Sequence, residues 1–574
     1  MNADPAPSRE ELLATGLARL GLAAFRPGQR EAIETLLDGG RLLLVAPTGG
    51  GKSLVYQLPA CVLRGTTLVV SPLIALMHDQ VAALAARGIA ATYLAGTLDA
   101  AEIRRRMALV AQGAVKLVYV APERLSAPGF RSLLRDLDCP LVAIDEAHCI
   151  SEWGHDFRPD YLEIGALLAE RAGSRVLACT ATATPIVRDE ILARLGLPAE
   201  TPQLVHGFAR PNLALRALDV ADAKARQRAV DAALAEALGA PQMNRRAPAE
   251  ARTPIPRSEP QASGEIHEAA RSEPQASGEI TRPGTAIVYA PTRRAAEQEG
   301  ERLARAGWRA AVYHAGLDPA ARDAAQRAFS SGEADVVVAT NAFGMGIDRP
   351  DVRAVIHLAP PGSIEAYYQE VGRAGRDGEP ALGVLLVAAA DVPLRRRLLE
   401  LPTEGRAPDA QTVKHKWGLF LELLRYAESG SCRHDAILRY FGDEEETLAG
   451  CGRCDVCQRL AAGDGEASAE ETATIVRKAL SAIARIHGRF GLGAAVALLR
   501  GDTDERLART GLDRTRTFGA LQERSEEWLL RLLRRCITPG WIDFDGGERP
   551  VALLTPEGAA VMRGGRPATL LLPP

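Results

Sequence analysis

The chain has 574 residues, of which 47% are hydrophobic and 25% charged, with a formal net charge of −3. That length exceeds what one hydrophobic core holds together, so several domains are expected. The near-neutral balance excludes a uniformly basic coat, yet leaves room for a local basic groove of the kind nucleic acids need. The amino terminus, MNADPAPSREELL, lacks the basic start and apolar run of a signal peptide. The longest apolar stretch, ALGVLLVAAA (381–390), is shorter than the ~20 residues of a membrane span, so no membrane partner is expected. Four of the nine cysteines cluster late and five are scattered, which fits an intracellular chain with one metal site better than a disulfide scaffold.

In chain order, the apolar runs RLLLVAP (41–47), TTLVVSP (66–72), VKLVYVAP (115–122), PLVAIDE (140–146) and SRVLACTAT (174–182) predict buried strands separated by helices. This alternation is the mark of a parallel α/β sheet, and it recurs at 285–292, 309–316, 334–341, 352–360 and 381–389. Between the two series, residues 239–283 are rich in Ala, Pro, Glu, Arg and Ser, and the decamer RSEPQASGEI occurs twice, at 257–266 and 271–280. Such a segment cannot bury a core and reads as a disordered surface insertion. From about residue 396 the alternation stops. A helical stretch (411–430) leads to the cysteines, and a final helical region ends in two alternating runs around Gly546 and Gly547, a hairpin signal.

The segment APTGGGKS (46–53) follows a strand and precedes a helix. Glycines there let backbone N–H groups point at phosphate oxygens, so Thr48, Gly49, Gly50 and Gly51 form the expected cradle. Lys52, one of only six lysines, can reach the outer phosphates of ATP, and Ser53 can ligate Mg²⁺. Asp145 and Glu146 end the strand PLVAI, with Asp145 expected to hold Mg²⁺ and Glu146 to orient and deprotonate the attacking water. In QEVGRAGRDG (369–378), Arg373 and Arg376 lie three apart on an expected helix, on one face, where they would meet the charge that develops in phosphoryl transfer. An exposed basic turn is the alternative. Cys432, Cys451, Cys454 and Cys457 offer four thiolates and fit a closed tetrahedral Zn²⁺ site, with a redox pair or an iron–sulfur cluster as alternatives. His434 lies two residues from Cys432 and reads as a bystander.

As an ordered set, FRPGQ (25–29), APTGGGKS, SPLIALMHDQV (71–81), DEAH (145–148), ISEWGHDFRPDY (150–161), TATAT (180–184), FARPN (208–212), ATNAFGMGIDRPDVRAVIH (339–357) and YYQEVGRAGRDG (367–378) resemble the RecQ family of superfamily 2 DNA helicases. The resemblance implies two tandem RecA-like domains, 1–208 and 209–395, then a zinc-binding subdomain (396–462), a winged-helix domain (468–566) and a tail (567–574). It implies that Gln29 reads adenine with Arg26 in support, that Asp348 and Gln369 face the ATP cleft, and that Thr180 and Thr182 couple hydrolysis to domain movement. Trp153, His155, Phe157 and Arg158 would couple bound DNA to the hydrolytic water, the aromatic rings offering stacking faces worth ~1–3 kcal/mol per base. Arg485, Arg489, Arg500, Arg514 and Arg516 are candidates for duplex phosphate contacts.

The implied activity is ATP-dependent 3′→5′ unwinding with ATP, Mg²⁺ and Zn²⁺, on single-stranded and 3′-tailed or forked duplex DNA. Roles in repair, recombination, replication and the SOS response would follow, in the cytoplasm at the nucleoid, with a single-stranded-DNA-binding protein as a candidate partner. The family often carries one more small nucleic-acid-binding domain. With the sequence ending at Pro574, high-affinity binding to branched DNA is not expected. An RNA helicase and an ATP-gated DNA-binding scaffold are the competing readings. The DNA-type loop and the cysteine-rich tail disfavour the first, and intact Lys52, Glu146 and paired arginines disfavour the second.

Overall fold

The computed structural model describes residues 8–47, 49–152, 157–171, 173–241, 284–343, 349–402, 408–443, 450–462, 468–545 and 551–573. Thr48, Trp153, His155, Asp348, the hairpin turn at Gly546 and Gly547, and residues 242–283 of the expected insertion lie outside them.

Seven strands build the first sheet: β1 (Arg41–Val45), β2 (Thr67–Val70), β3 (Ala91–Leu94), β4 (Leu117–Val120), β5 (Leu141–Ile144), β6 (Arg175–Thr180) and β7 (Gln203–Val205). Their order is β3-β4-β2-β5-β6-β1-β7 and every pairing is parallel. Successive side chains point to opposite faces. Leu43 and Val45 therefore join one core cluster while Leu42 and Leu44 join another, which is why β1 is apolar throughout.

The second sheet repeats the plan with β8 (Leu213–Asp219), β9 (Thr285–Tyr289), β10 (Ala310–Tyr313), β11 (Val336–Ala339), β12 (Val352–His357) and β13 (Ala381–Val387). The order is β10-β11-β9-β12-β13-β8, again all parallel. The sequence pattern finds the central strands but misses β3, β7 and β8. All three are sheet edges, with one side unpaired, and are less completely buried than the centre.

This topology assembles the site. β5, β6 and β1 are neighbours, so the loops leaving their carboxyl ends (DEAH, TATAT and APTGGGKS) emerge side by side, where open α/β sheets receive ligands.

Beyond the sheets, helices Ala410–Glu428, Arg433–Phe441 and Asp455–Ala462 surround the late cysteines. Helices Ala469–Ile486, Leu492–Arg500 and Glu526–Arg535 then enclose a separate core around Leu480, Ile483, Leu499, Leu529 and Trp541. Against it lie antiparallel β14 (Ile542–Asp545) and β15 (Val551–Leu554). The terminal segment returns to the cysteine-bearing region: Leu571 N–H donates to Gly430 O (2.9 Å), and Arg535 donates to Leu571 O and Leu572 O. No described helix is long and apolar enough to cross a membrane.

Candidate functional site

The glycine-rich loop closes on itself. Gly49 and Gly51 adopt φ of +86° and +78°, a region that L side chains rarely enter. A methyl group on Gly51 would fall 2.2 Å from Gln29 Nε2, so a larger residue there would displace that amide as well as strain the backbone. Lys52 Nζ donates to Ala46 O (2.9 Å) and Pro47 O (3.3 Å), which keeps the ammonium inside the curve of the loop. Gln29 Nε2 donates to Gly51 O (3.1 Å), Arg26 Nη1 donates to Gly49 O (2.6 Å), and Arg26 N–H donates to Gln29 Oε1 (2.8 Å). Ser53 follows Lys52 in the first turn of the Lys52–Val62 helix. The residues expected to read adenine and to support that site thus brace the glycine-rich loop directly.

Asp145 is buried at the end of β5. Burial, reinforced by the charge of Glu146, pushes its carboxyl up to about 6, and Lys52 opposes the rise. Glu146 is the one non-glycine residue with positive φ (+49°) among those described. That costly conformation turns the chain sharply from β5 into the short helix Ala147–Ile150. Glu146 Oε2 lies 3.3 Å from His148 Nδ1, and the same nitrogen is 2.7 Å from Thr180 Oγ1. Burial opposes charge on the His148 ring, but Cys149 and Glu146 beside it raise its pKa. Thr182 N–H donates to Thr180 Oγ1 (3.2 Å), and across the cleft Gln369 Nε2 donates to Thr182 Oγ1 (3.0 Å). An unbroken polar path therefore joins Glu146 to the second sheet's domain.

Arg373 and Arg376 do not sit on a helix, contrary to the sequence expectation. The helix Ile364–Val371 ends at Gly372, and both arginines lie in the turn that follows. Gly375, at φ +61°, and its N–H bond to Val352 O fix that turn. Successive i→i+3 bonds (Arg373 N–H to Glu370 O, Ala374 N–H to Val371 O) still bring both side chains to the cleft. Arg376 reaches the glycine-rich loop: a methyl built on Gly49 would lie 3.4 Å from Arg376 Nε.

Arg210 and Asn212 have no assigned role in the sequence reading, yet they hold this turn. Arg210 donates to Gly372 O (3.0 Å), Ala374 O (2.6 Å) and Gly375 O (3.1 Å), and Asn212 donates to Gly375 O (2.7 Å) and Glu379 O (2.8 Å). The signal was present in FARPN, a polar motif between two apolar elements. Only the fold shows what it grips. Behind the turn that Arg210 and Asn212 hold lies a cavity of about 800 Å³, lined by Lys52, Ser53, Asp145, Glu146, Gln369, Arg373 and Arg376 among others.

Of the expected DNA-coupling loop, Phe157 and Arg158 are described and half-buried. Arg158 N–H donates to Cys149 O (2.8 Å) and its guanidinium to Pro72 O (3.4 Å), while Tyr161 OH donates to Asp145 O (2.9 Å). The loop is thereby pinned to the acidic strand end at one side and to the SPLIALMHDQV segment at the other. In the last region Arg489, Arg514 and Arg516 are exposed. Arg485 donates to Thr517 Oγ1 (2.7 Å), and Arg500 faces Asp502 and Glu526.

The sulfurs of Cys432, Cys451, Cys454 and Cys457 lie within 4.8 Å of one another. Backbone N–H groups of Cys451, Cys454 and Cys457 donate to Cys432, Cys451 and Cys454 Sγ at 3.3–3.4 Å, bonds that favour thiolates. Four converging sulfurs without a spare ligand suit tetrahedral zinc. His434 turns away, its Nε2 lying 2.8 Å from Leu213 O, so it is a bystander to the cluster. Arg433, buried, binds Asp455 in a bidentate pair (2.9 and 3.0 Å), and Asp455 also accepts from Ala217 N–H of β8 (3.1 Å).

Two parallel sheets that hold a glycine-rich loop, an acidic strand end and an arginine turn around one cleft define a two-domain helicase core. Comparison with known proteins agrees: residues 26–190 match the DEAD/DEAH box helicase family and 273–378 the helicase conserved C-terminal domain. Residues 389–458 match the RecQ zinc-binding family and 468–573 the RQC domain. The chain is 36% identical over 546 residues to the ATP-dependent DNA helicase RecQ of Bacillus subtilis (strain 168), covering 95% of this chain and 82% of that one. It is 35% identical over 572 residues to the RecQ of Pasteurella multocida (strain Pm70), covering 99% and 80%. With the RecQ-like DNA helicase blm-1 of Caenorhabditis elegans it shares 34% over 557 residues, 94% of this chain and 51% of that one. The chain belongs to the RecQ helicase family.

Proposed function

We propose that this protein is an ATP-dependent DNA helicase that moves 3′→5′ along single-stranded DNA and unwinds 3′-tailed or forked duplexes. The observation that carries the reading is the approach of Arg376, from the second sheet's domain, to Gly49 of the glycine-rich loop in the first. An ATP site divided between two domains opens and closes with the nucleotide, which is how hydrolysis becomes movement.

In this reading the loop amides of Thr48 to Gly51 and the ammonium of Lys52 bind the phosphates, and Gln29 with Arg26 takes the adenine. Ser53 and Asp145 would hold Mg²⁺, which supplies charge neutralisation on the phosphate oxygens. Glu146 orients and deprotonates the attacking water, and His148 holds that carboxylate in place. Arg373 and Arg376 meet the charge developing on the transferred phosphoryl group, a contribution of ~10³–10⁵ in rate where it has been measured. Gln369 stands on the far wall, and Asp348 is assigned to the same ATP site. Trp153, His155, Phe157 and Arg158 receive the single strand and relay its presence to Glu146. The cysteines hold a structural Zn²⁺, and the last region carries duplex DNA. Work in repair and recombination, at the nucleoid and beside a single-stranded-DNA-binding protein, accords with this activity.

The test is ATPase activity with single-stranded DNA, single-stranded RNA or neither, followed by strand separation on 3′- and 5′-tailed duplexes. Stimulation by DNA and unwinding of the 3′-tailed duplex alone are expected. Stimulation by RNA only would overturn the assignment. In the same assay Trp153→Ala is expected to keep DNA binding and lose DNA stimulation.

A further inference from the structure

One short helix of the cysteine-bearing region packs on the helix that precedes the arginine turn. Arg433–Phe441 starts at Cys432, its N-cap residue, and ends at Gly442, which adopts φ +68°. Its last two side chains meet the helix Ile364–Val371 one turn apart. Tyr440 OH donates to Glu365 Oε1 (2.6 Å), and the Phe441 ring packs against Tyr368 at 5.3 Å between centroids. Phe441 also stacks on Phe208 (4.6 Å, 25° between planes), and Phe208 stacks on Tyr368 (5.4 Å, 29°). All three rings are buried.

The ring cluster leads to the arginine turn by two routes. Tyr368 OH donates to Phe208 O (3.1 Å), and two residues after Phe208 the guanidinium of Arg210 grips the carbonyls of Gly372, Ala374 and Gly375. Tyr368 O accepts the N–H of Gly372, the residue before Arg373. A packed interior transmits a displacement rather than absorbing it, because neighbouring rings leave no void to move into.

We infer that Phe441 is a positioning residue for Arg373 and Arg376, so that the cysteine-bearing region is a working part of the ATPase as well as a structural appendage. This rests on the proposed role of the two arginines. Phe441 itself touches neither nucleotide nor reacting atoms. It sets where the turn lies, and misplacement of a catalytic group by about 1 Å costs up to ~10² in rate. The effect falls on turnover, not on nucleotide binding, because the glycine-rich loop belongs to the other sheet.

The test uses the full chain with Phe441→Leu, which keeps an apolar side chain and removes the ring faces, and Tyr440→Phe, which removes one hydroxyl from a half-buried site. Measured for each are zinc per chain, affinity for a fluorescent ATP analogue with Mg²⁺, and kcat and KM for ATP with single-stranded DNA. Expected are unchanged zinc, unchanged analogue affinity and KM, and a kcat lowered roughly tenfold for Phe441→Leu and threefold for Tyr440→Phe. Phe441→Leu added to Arg376→Ala is expected to cost less than the roughly tenfold it costs alone, since only Arg373 is then left to misplace. Wild-type kcat in Phe441→Leu with zinc retained overturns the inference, as does a fully multiplicative loss in the double variant. If Phe441→Leu fails to fold or loses zinc, wild-type kcat in Tyr440→Phe overturns it. Wild-type kcat in both Arg373→Ala and Arg376→Ala would instead remove the arginine reading on which it rests.

Discussion

Gln369 Nε2 donates to Thr182 Oγ1 at 3.0 Å, a bond that joins the two sheets' domains across the cleft between them. Thr182 is tied to Thr180, and Thr180 to His148 beside Glu146. Thr182→Val keeps the shape and deletes the acceptor. A hydrogen bond of this kind contributes about 1 kcal/mol, so DNA-stimulated kcat is expected to fall roughly fivefold, with KM for ATP changed less than twofold. Steady-state kinetics with and without single-stranded DNA measures this, and an unchanged DNA-stimulated kcat would argue that the path through Thr182 carries nothing.

Asp145 makes a prediction about pH. Burial first, and then Glu146, raise its carboxyl to about 6 in the folded protein. The folded protein therefore holds this proton more tightly than the unfolded chain, whose aspartates titrate near 4. The group's contribution to stability is complete below about pH 4 and is lost as pH rises through 6, amounting to about 3 kcal/mol at most. Asp145→Asn removes the ionisation. It is expected to raise the melting temperature of the nucleotide-free protein at pH 7.5 and to do so about half as much at pH 5. Equal effects at both pH values would contradict the shifted carboxyl.

Removing one zinc ligand should unfold a region and spare another. Zinc bound by four cysteines contributes ~10–16 kcal/mol in small domains. Cys454→Ser is expected to lose the metal and to expose residues 410–462 to protease. Analogue binding at the glycine-rich loop should persist, since that loop hangs from β1, one face of which packs in a core that holds no residue of 410–462. Zinc analysis with limited proteolysis distinguishes this from general unfolding.

The buried pair Arg433–Asp455 carries the packing of this region onto β8. Asp455→Ala leaves a buried guanidinium uncompensated and strips the Ala217 N–H of its acceptor. Loss of one partner from such a pair typically costs about 3–5 kcal/mol. A melting transition lowered by less than a degree would show that Arg433 finds another partner.

Much of this was readable in one dimension because the chemistry is local in sequence. The central strands are apolar throughout, since helices cover both faces, and the glycine-rich loop, the acidic pair and the CGRCDVC triplet each lie within a few consecutive residues. Edge strands β3, β7 and β8 escaped, because an edge has one unpaired side and relaxes the demand for apolar residues. The helix expected under Arg373 and Arg376 stops short because Gly372 and Gly375 favour a turn there.

By itself, then, the sequence determined the central strands and where the glycine-rich loop, the acidic strand end and the four cysteines stand along the chain. Tertiary structure alone decided what meets what. The grip of Arg210 on the arginine turn, the bond from Gln369 to Thr182 and the stack of Phe441 on Phe208 join residues 162, 187 and 233 positions apart. Contacts of that separation leave no periodic mark in the chain, because they exist only once two sheets and a cysteine-bearing region have packed together.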